Sequence, residues 1–170
     1  MSRKYSVKRY YRNREKYSIE QTVIITRDVS NWDSVPGVEG ETQTSKQFSQ
    51  VIVKNTELQG MRKVKHLTLT ICNNNSSLDA LPILYAIVYV PEGYSPKDIN
   101  VPISGNPMSL YEPNQFVMSC GALDFNAGPL RIKSPLARNL NSGDSIYLIL
   151  ASNKSEASGF TINVKYAITL

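Results

Sequence analysis

The feature that most constrains this chain is a series of short apolar segments separated by residues that favour turns. The connecting stretches, among them NNNSS, PEGYSPKD, FNAGP and NLNSGD, supply the Gly, Pro, Asn and Asp residues that set turn dihedrals. No segment repeats with a helical period over two or more turns, so the pattern predicts an all-β domain, a sandwich or a barrel. The eight segments span 19–28, 47–54, 63–72, 82–91, 114–121, 129–134, 144–152 and 160–169.

The apolar pattern within the segments separates them into two kinds. In segments 63–72 and 160–169 apolar and polar residues alternate, as in a strand with one buried and one solvated face. ILYAIVYV (83–90) and IYLILA (146–151) are apolar at both parities, which indicates strands covered on both faces. Two kinds of strand predict two sheets. Because an uncovered sheet exposing Tyr85, Val90 and Ile149 would form a large apolar patch, we expect a neighbouring subunit to cover it.

Positive charge is concentrated at the N-terminus. Residues 1–17 contain seven of the 19 basic and one of the 14 acidic residues, a net charge of +6, whereas the remaining residues sum to −1. Such a segment repels itself and has little to bury, so we predict an extended arm at 1–17 and a folded domain at 18–170.

The arm has the composition of a segment that binds single-stranded nucleic acid. Its cations neutralise phosphates, and its tyrosines, Tyr17 among them, offer rings on which unpaired bases stack. A solvated tail and a nuclear import signal are the alternatives. The predicted contacts within the arm are Arg3, Lys4, Tyr5, Lys8, Arg9, Tyr10, Tyr11, Arg12, Arg14 and Lys16.

Three further cations lie on predicted solvated strand faces. Arg131 and Lys133 alternate with apolar residues, and Lys165 occupies the polar parity of the last strand. They extend the basic surface if their strands are neighbours, although ordinary solubilising charges explain them equally well.

No residue set suggests catalysis, a metal site or a cofactor. The single histidine, His66, has no carboxylate near it in sequence, and no phosphate-binding glycine motif occurs. Cys72 and Cys120 lack metal-ligand spacing. Strand parity predicts that Cys120 lies in the core with Met118 and that Cys72 points outward. We therefore expect a protein that is not an enzyme and does not insert into membranes.

The stretch 109–150 resembles the capsid proteins of small circular single-stranded DNA viruses, the circovirus-like group that encodes a replication initiator. The likeness is carried by YEPNQ at 111–115, GPLRI at 128–132 and RNLNSGD at 138–144. It implies a viral jelly roll of eight antiparallel strands, named B to I in chain order. These would form two four-stranded sheets, B-I-D-G and C-H-E-F.

The resemblance also implies a role and a location. Sixty copies would form the smallest icosahedral shell, a T=1 virion, with the arm turned toward a single-stranded DNA genome. The arm would also engage host nuclear import machinery and place the protein in the host nucleus during assembly. Sixty arms carry about 360 net charges, fewer than a kilobase-scale single strand, so other cations or inner-surface residues must supply the rest.

If the chain assembles with copies of itself, some residues must lie at subunit interfaces. Two other functions are alternatives to assembly. Trp32, in the long segment 29–46, is a candidate interface anchor with Tyr85 and Ile149, although packing within its own loop explains Trp32 equally well. One alternative is a non-assembling single-strand-binding β-barrel. The other is a jelly-roll lectin, which leaves the arm unexplained.

Overall fold

The computed structural model describes residues 17–26, 33–35, 45–74, 83–96, 116–123, 128–152 and 159–169. Within these ranges the chain is built of antiparallel strands, and it contains no helix long and apolar enough to cross a membrane. The strands are β1 (Ser18–Thr26), β2 (Asp33–Val35), β3 (Ser45–Val53), β4 (Arg62–Asn73), β5 (Ile83–Val90), β6 (Val117–Leu123), β7 (Leu130–Ser134), β8 (Arg138–Leu140), β9 (Ser145–Ser152) and β10 (Phe160–Thr169).

The strands form two sheets whose order is that of a jelly roll. The first sheet runs β1-β10-β4-β7, with β8 also paired to β4, and the second runs β2-β3-β9-β5-β6. Without the short strands β2 and β8, these orders are B-I-D-G and C-H-E-F. The predicted fold is therefore confirmed, and all eight predicted segments coincide with strands to within about three residues.

A single apolar core fills the space between the sheets. Alternate residues of β4 and β10 point inward from the first sheet, and alternate residues of β5 and β9 meet them from the second. Burial of such side chains stabilises the sandwich by roughly 1.5–3 kcal/mol each. The largest fully buried side chains of this core are Leu67, Leu69, Ile71, Ile87, Leu140, Ile146, Leu148, Leu150, Phe160 and Ile162.

The outer face of the second sheet is apolar and is already buried within one chain. Ala86, Val88 and Ile149 are fully buried there and Val90 is 2% exposed. The expectation that Ile149 and Val90 form an open patch is therefore wrong, and Tyr85 packs against the core between the sheets. The apolar pattern of β5 and β9 indicates that both faces of these strands are covered, but it does not identify the covering residues. A neighbouring subunit is therefore not required.

Three β-bulges interrupt the alternation of side chains in the described strands, one of them at Ile52 of β3. In β4, His66 has a left-handed φ of 54°, and the pairing with β10 shifts between Lys165 and Ala167. In β6, the pairing with β5 shifts so that Ser119 lies opposite Ile87 and Val117 opposite Val88, which makes Met118 the extra residue.

The bulge at Met118 overturns one predicted position. Beyond it Cys120 lies opposite Ala86, on the outer face of the sheet, and is exposed, while Met118 is buried in the core. The prediction that Cys120 shares the core face with Met118 is wrong because the extra residue breaks the alternation between them. Cys72 is half-buried.

Candidate nucleic-acid interface

The three cations predicted on strand faces lie on one surface, the outer face of the first sheet. Thr68 of β4 lies opposite Lys133 of β7 on one side and opposite Lys165 of β10 on the other. Arg131 lies opposite Thr70, on the same face. Two strand spacings separate Lys133 from Lys165, about 10 Å between backbones. All three cations are exposed.

Two further lysines belong to this surface and were missed from the sequence. Lys65 lies opposite Ala167, and Lys63 lies opposite Thr169, at the outward positions of β4 below the bulge. Both alternate with the buried Val64, just as Arg131 and Lys133 alternate with buried Ile132, so the signal was present. It was obscured because the bulge at His66 reverses the parity between Lys65 and Thr68.

We call Lys63, Lys65, Arg131, Lys133 and Lys165 the basic face. The other described residues on that side of β1, β4, β7, β8 and β10 include no aspartate or glutamate. The three exposed cations of this surface, Arg131, Lys133 and Lys165, contribute a positive potential that attracts a polyanion. A flat sheet face offers no pocket for a base edge, so phosphate contacts would dominate and sequence would matter little.

Strand β1, which follows the N-terminal arm in the sequence, lies in the same sheet as the basic face. Ser18, the first residue of β1, lies opposite Ile168, which in turn lies opposite Val64, one position from Lys63. Residues 1–16, and with them all ten predicted arm contacts, lie outside the described residues, as does Trp32.

An open cavity of about 490 Å³ lies at the root of the arm, on the inner side of β1. Tyr166 donates a 2.5 Å hydrogen bond to Glu20 there, and burial, that hydrogen bond and the carboxylate charge raise the pKa of Tyr166. Because Glu20 and Arg62 have opposite charges, the cavity lacks the net positive charge of a phosphate site. Its lining residues are Tyr17, Ser18, Glu20, Thr56, Leu58, Arg62 and Ile168.

A buried carboxylate organises the same end of the sandwich. Oδ2 of Asp144 accepts hydrogen bonds from the Tyr89 hydroxyl and the Asn141 amide, both at 2.7 Å, and Oδ1 accepts one from the Glu92 amide at 3.2 Å. The Arg138 guanidinium lies 4.2 Å from the centre of the Tyr89 ring. Asp144 has its acceptors engaged within the chain, so its role is structural.

Comparisons with known proteins give fold-level similarity. No protein-family model matches the chain, and no curated protein matches its sequence. Solved structures do match, among them the cryo-EM structure of broad bean stain virus, with 10% sequence identity and a TM-score of 0.38. That match covers 94% of this chain and 89% of the other. It is too distant to assign a function.

Proposed function

We propose that this chain is a viral capsid protein that assembles with copies of itself into a small shell and holds single-stranded nucleic acid. The observation that carries the proposal is the strand order, which reproduces the B-I-D-G and C-H-E-F sheets that the resemblance of residues 109–150 implies. The segregation of six net positive charges onto residues 1–17 supports the same role. A structural protein of this kind needs no catalytic group.

The basic face supports a second site of contact with the nucleic acid. The arms of sixty copies are too weakly charged to neutralise a kilobase-scale strand, and the basic face adds three exposed cations per chain, Arg131, Lys133 and Lys165. We propose that the face lies toward the genome. Single-stranded DNA in a T=1 shell, and passage through the host nucleus, belong to this proposal through the resemblance alone.

Sedimentation tests assembly. Purified full-length protein at moderate salt is expected to sediment as a large, uniform particle, and negative-stain microscopy is expected to show closed shells. A monomer at every concentration and salt would refute the capsid role.

The salt dependence of binding tests the nucleic-acid contacts. Six phosphates neutralised by the arm alone give a log–log salt slope of about −4 for a single strand, whereas the arm and the three exposed cations of the basic face together give about −6. Replacing Lys133 by Ala is expected to reduce the slope by about 0.7, because one phosphate contact is lost. The matched control is Lys54→Ala, which removes an exposed lysine away from the basic face. Equal salt slopes for Lys133→Ala and Lys54→Ala would show that the basic face does not contact the nucleic acid.

A non-assembling single-strand-binding protein is the second candidate. The burial of Ile149 and Val88 within one chain favours it, because the second sheet needs no neighbour to cover its outer face. The two candidates differ when residues 1–17 are deleted. A capsid protein would lose packaging and still form shells, whereas a binding protein would lose affinity and remain small throughout.

A further inference from the structure

Strand β1 is unusually exposed for a nine-residue strand. Ile19, Val23 and Ile25 on its outer face are 62%, 55% and 61% exposed, and Glu20 and Thr22 on its inner side are exposed as well. Among the described elements only β10 makes extensive contacts with it. No described strand pairs with its other edge, which leaves backbone N–H and C=O groups open to pairing beside an apolar stripe.

Each of the other described sheet edges has a feature that discourages pairing. The edge formed by β7 and β8 is interrupted by Pro135 and has outward cations at Arg131 and Lys133. The edge strand β2 is three residues long. The edge strand β6 contains the bulge at Met118. By contrast, β1 pairs with β10 without a register shift and has no proline, glycine or lysine between Ser18 and Thr26.

We propose that β1 pairs antiparallel with β1 of a second copy, across a two-fold axis through Thr22. The inference rests on the proposed self-assembly and names the surface that would mediate it. With the axis perpendicular to the sheet, outer positions meet outer positions, so Ile19 lies opposite Ile25 of the second copy and Val23 opposite Gln21. Centring on Thr22 pairs all nine residues and makes the apolar stripe self-complementary.

The pairing joins the two basic faces into one surface. The two B-I-D-G sheets become continuous, and their outer faces lie on the same side because the axis is perpendicular to them. Lys165 lies opposite Gln21, so three strand spacings, about 14 Å, separate the rows of Lys165 in the two copies. That separation exceeds the Debye length of about 8–10 Å at physiological salt, so charge repulsion between the copies is weak.

The contact is small for a stable interface. It uses the nine residues of β1 from each copy, whereas standard interfaces use about 20–30 residues on each side. In isolation the pair is therefore reversible and concentration-dependent, and further subunit contacts must add to it in a closed shell.

Cysteine cross-linking tests the register. In a full-length Cys72→Ser/Cys120→Ser background, Thr22→Cys places the two new thiols on directly opposed residues, at Cα separations of about 4.5–5.5 Å that a disulfide spans. The matched control, Ser18→Cys, lies opposite Thr26 of the second copy, which separates the two Ser18 positions by about 26 Å. Under mild oxidant Thr22→Cys is expected to give at least about tenfold more covalent dimer than Ser18→Cys.

A charge introduced at the edge provides a test with the native cysteines in place. Val23→Lys is expected to reduce particle formation at least about tenfold, because it sets two ammonium groups close to the pairing axis. The control Leu136→Lys, a similarly exposed apolar residue between β7 and β8, is expected to assemble as the unmodified chain does. Circular dichroism and the melting temperature verify that both variants fold.

The outcomes separate this inference from the proposed function. If the unmodified chain forms particles while Thr22→Cys cross-links no better than Ser18→Cys and Val23→Lys assembles normally, β1 pairing is refuted and the capsid role stands. If the unmodified chain forms neither particles nor dimers, both are refuted.

Discussion

The Tyr89 hydroxyl donates a 2.7 Å hydrogen bond to Oδ2 of Asp144, which joins the end of β5 to the turn that precedes β9. Tyr89 is 9% exposed and Asp144 is 4% exposed, so the bond is shielded from water. Burial, this bond and the negative charge of Asp144 raise the pKa of Tyr89 to about 12. The relationship predicts a specific loss of stability at high pH.

Removing the hydroxyl tests the bond. Tyr89→Phe is expected to lower the free energy of unfolding by about 1.5–3 kcal/mol at pH 7, because a buried bond to a charged acceptor is lost. The folded-state pKa lies above the unfolded value of 10, so the stabilisation is complete below pH 10 and is lost as pH rises through about 12. Urea unfolding at several pH values is expected to show a smaller decline above pH 10 in Tyr89→Phe. Parallel declines in the two proteins would contradict the coupling.

The turn before β9 requires glycine at position 143. Gly143 has a φ of +82°, and a Cβ there would lie 2.7 Å from Cβ of Glu92. Gly143→Ala is therefore expected to cost more than the about 1–2 kcal/mol of left-handed backbone strain alone. Gly93 has the same φ and nothing within 4 Å, so Gly93→Ala is the matched control for strain without the clash. Equal losses of unfolding free energy in Gly143→Ala and Gly93→Ala, measured by urea unfolding, would show that Glu92 moves away from the new Cβ at no cost.

The left-handed residue in the β4 bulge predicts that glycine is tolerated at position 66. His66→Gly relieves the strain of a φ of 54°, roughly offsetting the 0.5–1 kcal/mol of added backbone entropy, so stability is expected to change little. His66→Val places a β-branched residue in the left-handed region and is expected to lose at least about 1 kcal/mol. Thr68→Gly, in the regular strand beside it, is expected to lose about 0.5–1 kcal/mol. A similar loss for both glycine variants would contradict the bulge.

Thiol reactivity tests the bulge in β6. Cys120 is exposed and Cys72 is half-buried, so a thiol reagent is expected to label one site rapidly and the other slowly in the native, unassembled chain. Cys120→Ser is expected to abolish the fast phase and Cys72→Ser the slow phase. A fast phase that persists in Cys120→Ser would contradict the exposed position of Cys120.

The positions of the strands follow from the sequence because alternation and turn residues are local. Burial of one face requires period two over each segment, and Asn, Gly and Pro between the segments stop the chain from continuing as a strand. The basic arm is equally local, since its charge does not depend on contacts elsewhere. The sequence also placed Lys133 and Lys165 on solvated strand faces. Their strands are not neighbours, yet both lysines lie on one surface because β7 and β10 pair with β4 on its two sides.

Tertiary structure alone decided which way several side chains point and what each face meets. Bulges at His66 and Met118 depend on cross-strand register, which the alternation within one strand does not show. Alternation alone therefore predicted the wrong face for Cys120 and did not identify Lys63 and Lys65 as outward residues. The burial of Ile149 within one chain, and the exposure of β1 on both sides, depend on the distant segments that pack against each strand. The sequence by itself determined the strands, the two-sheet class and the charged arm, because these depend on neighbouring residues. Only the folded chain decided which faces remain open, because that depends on contacts between residues far apart in sequence.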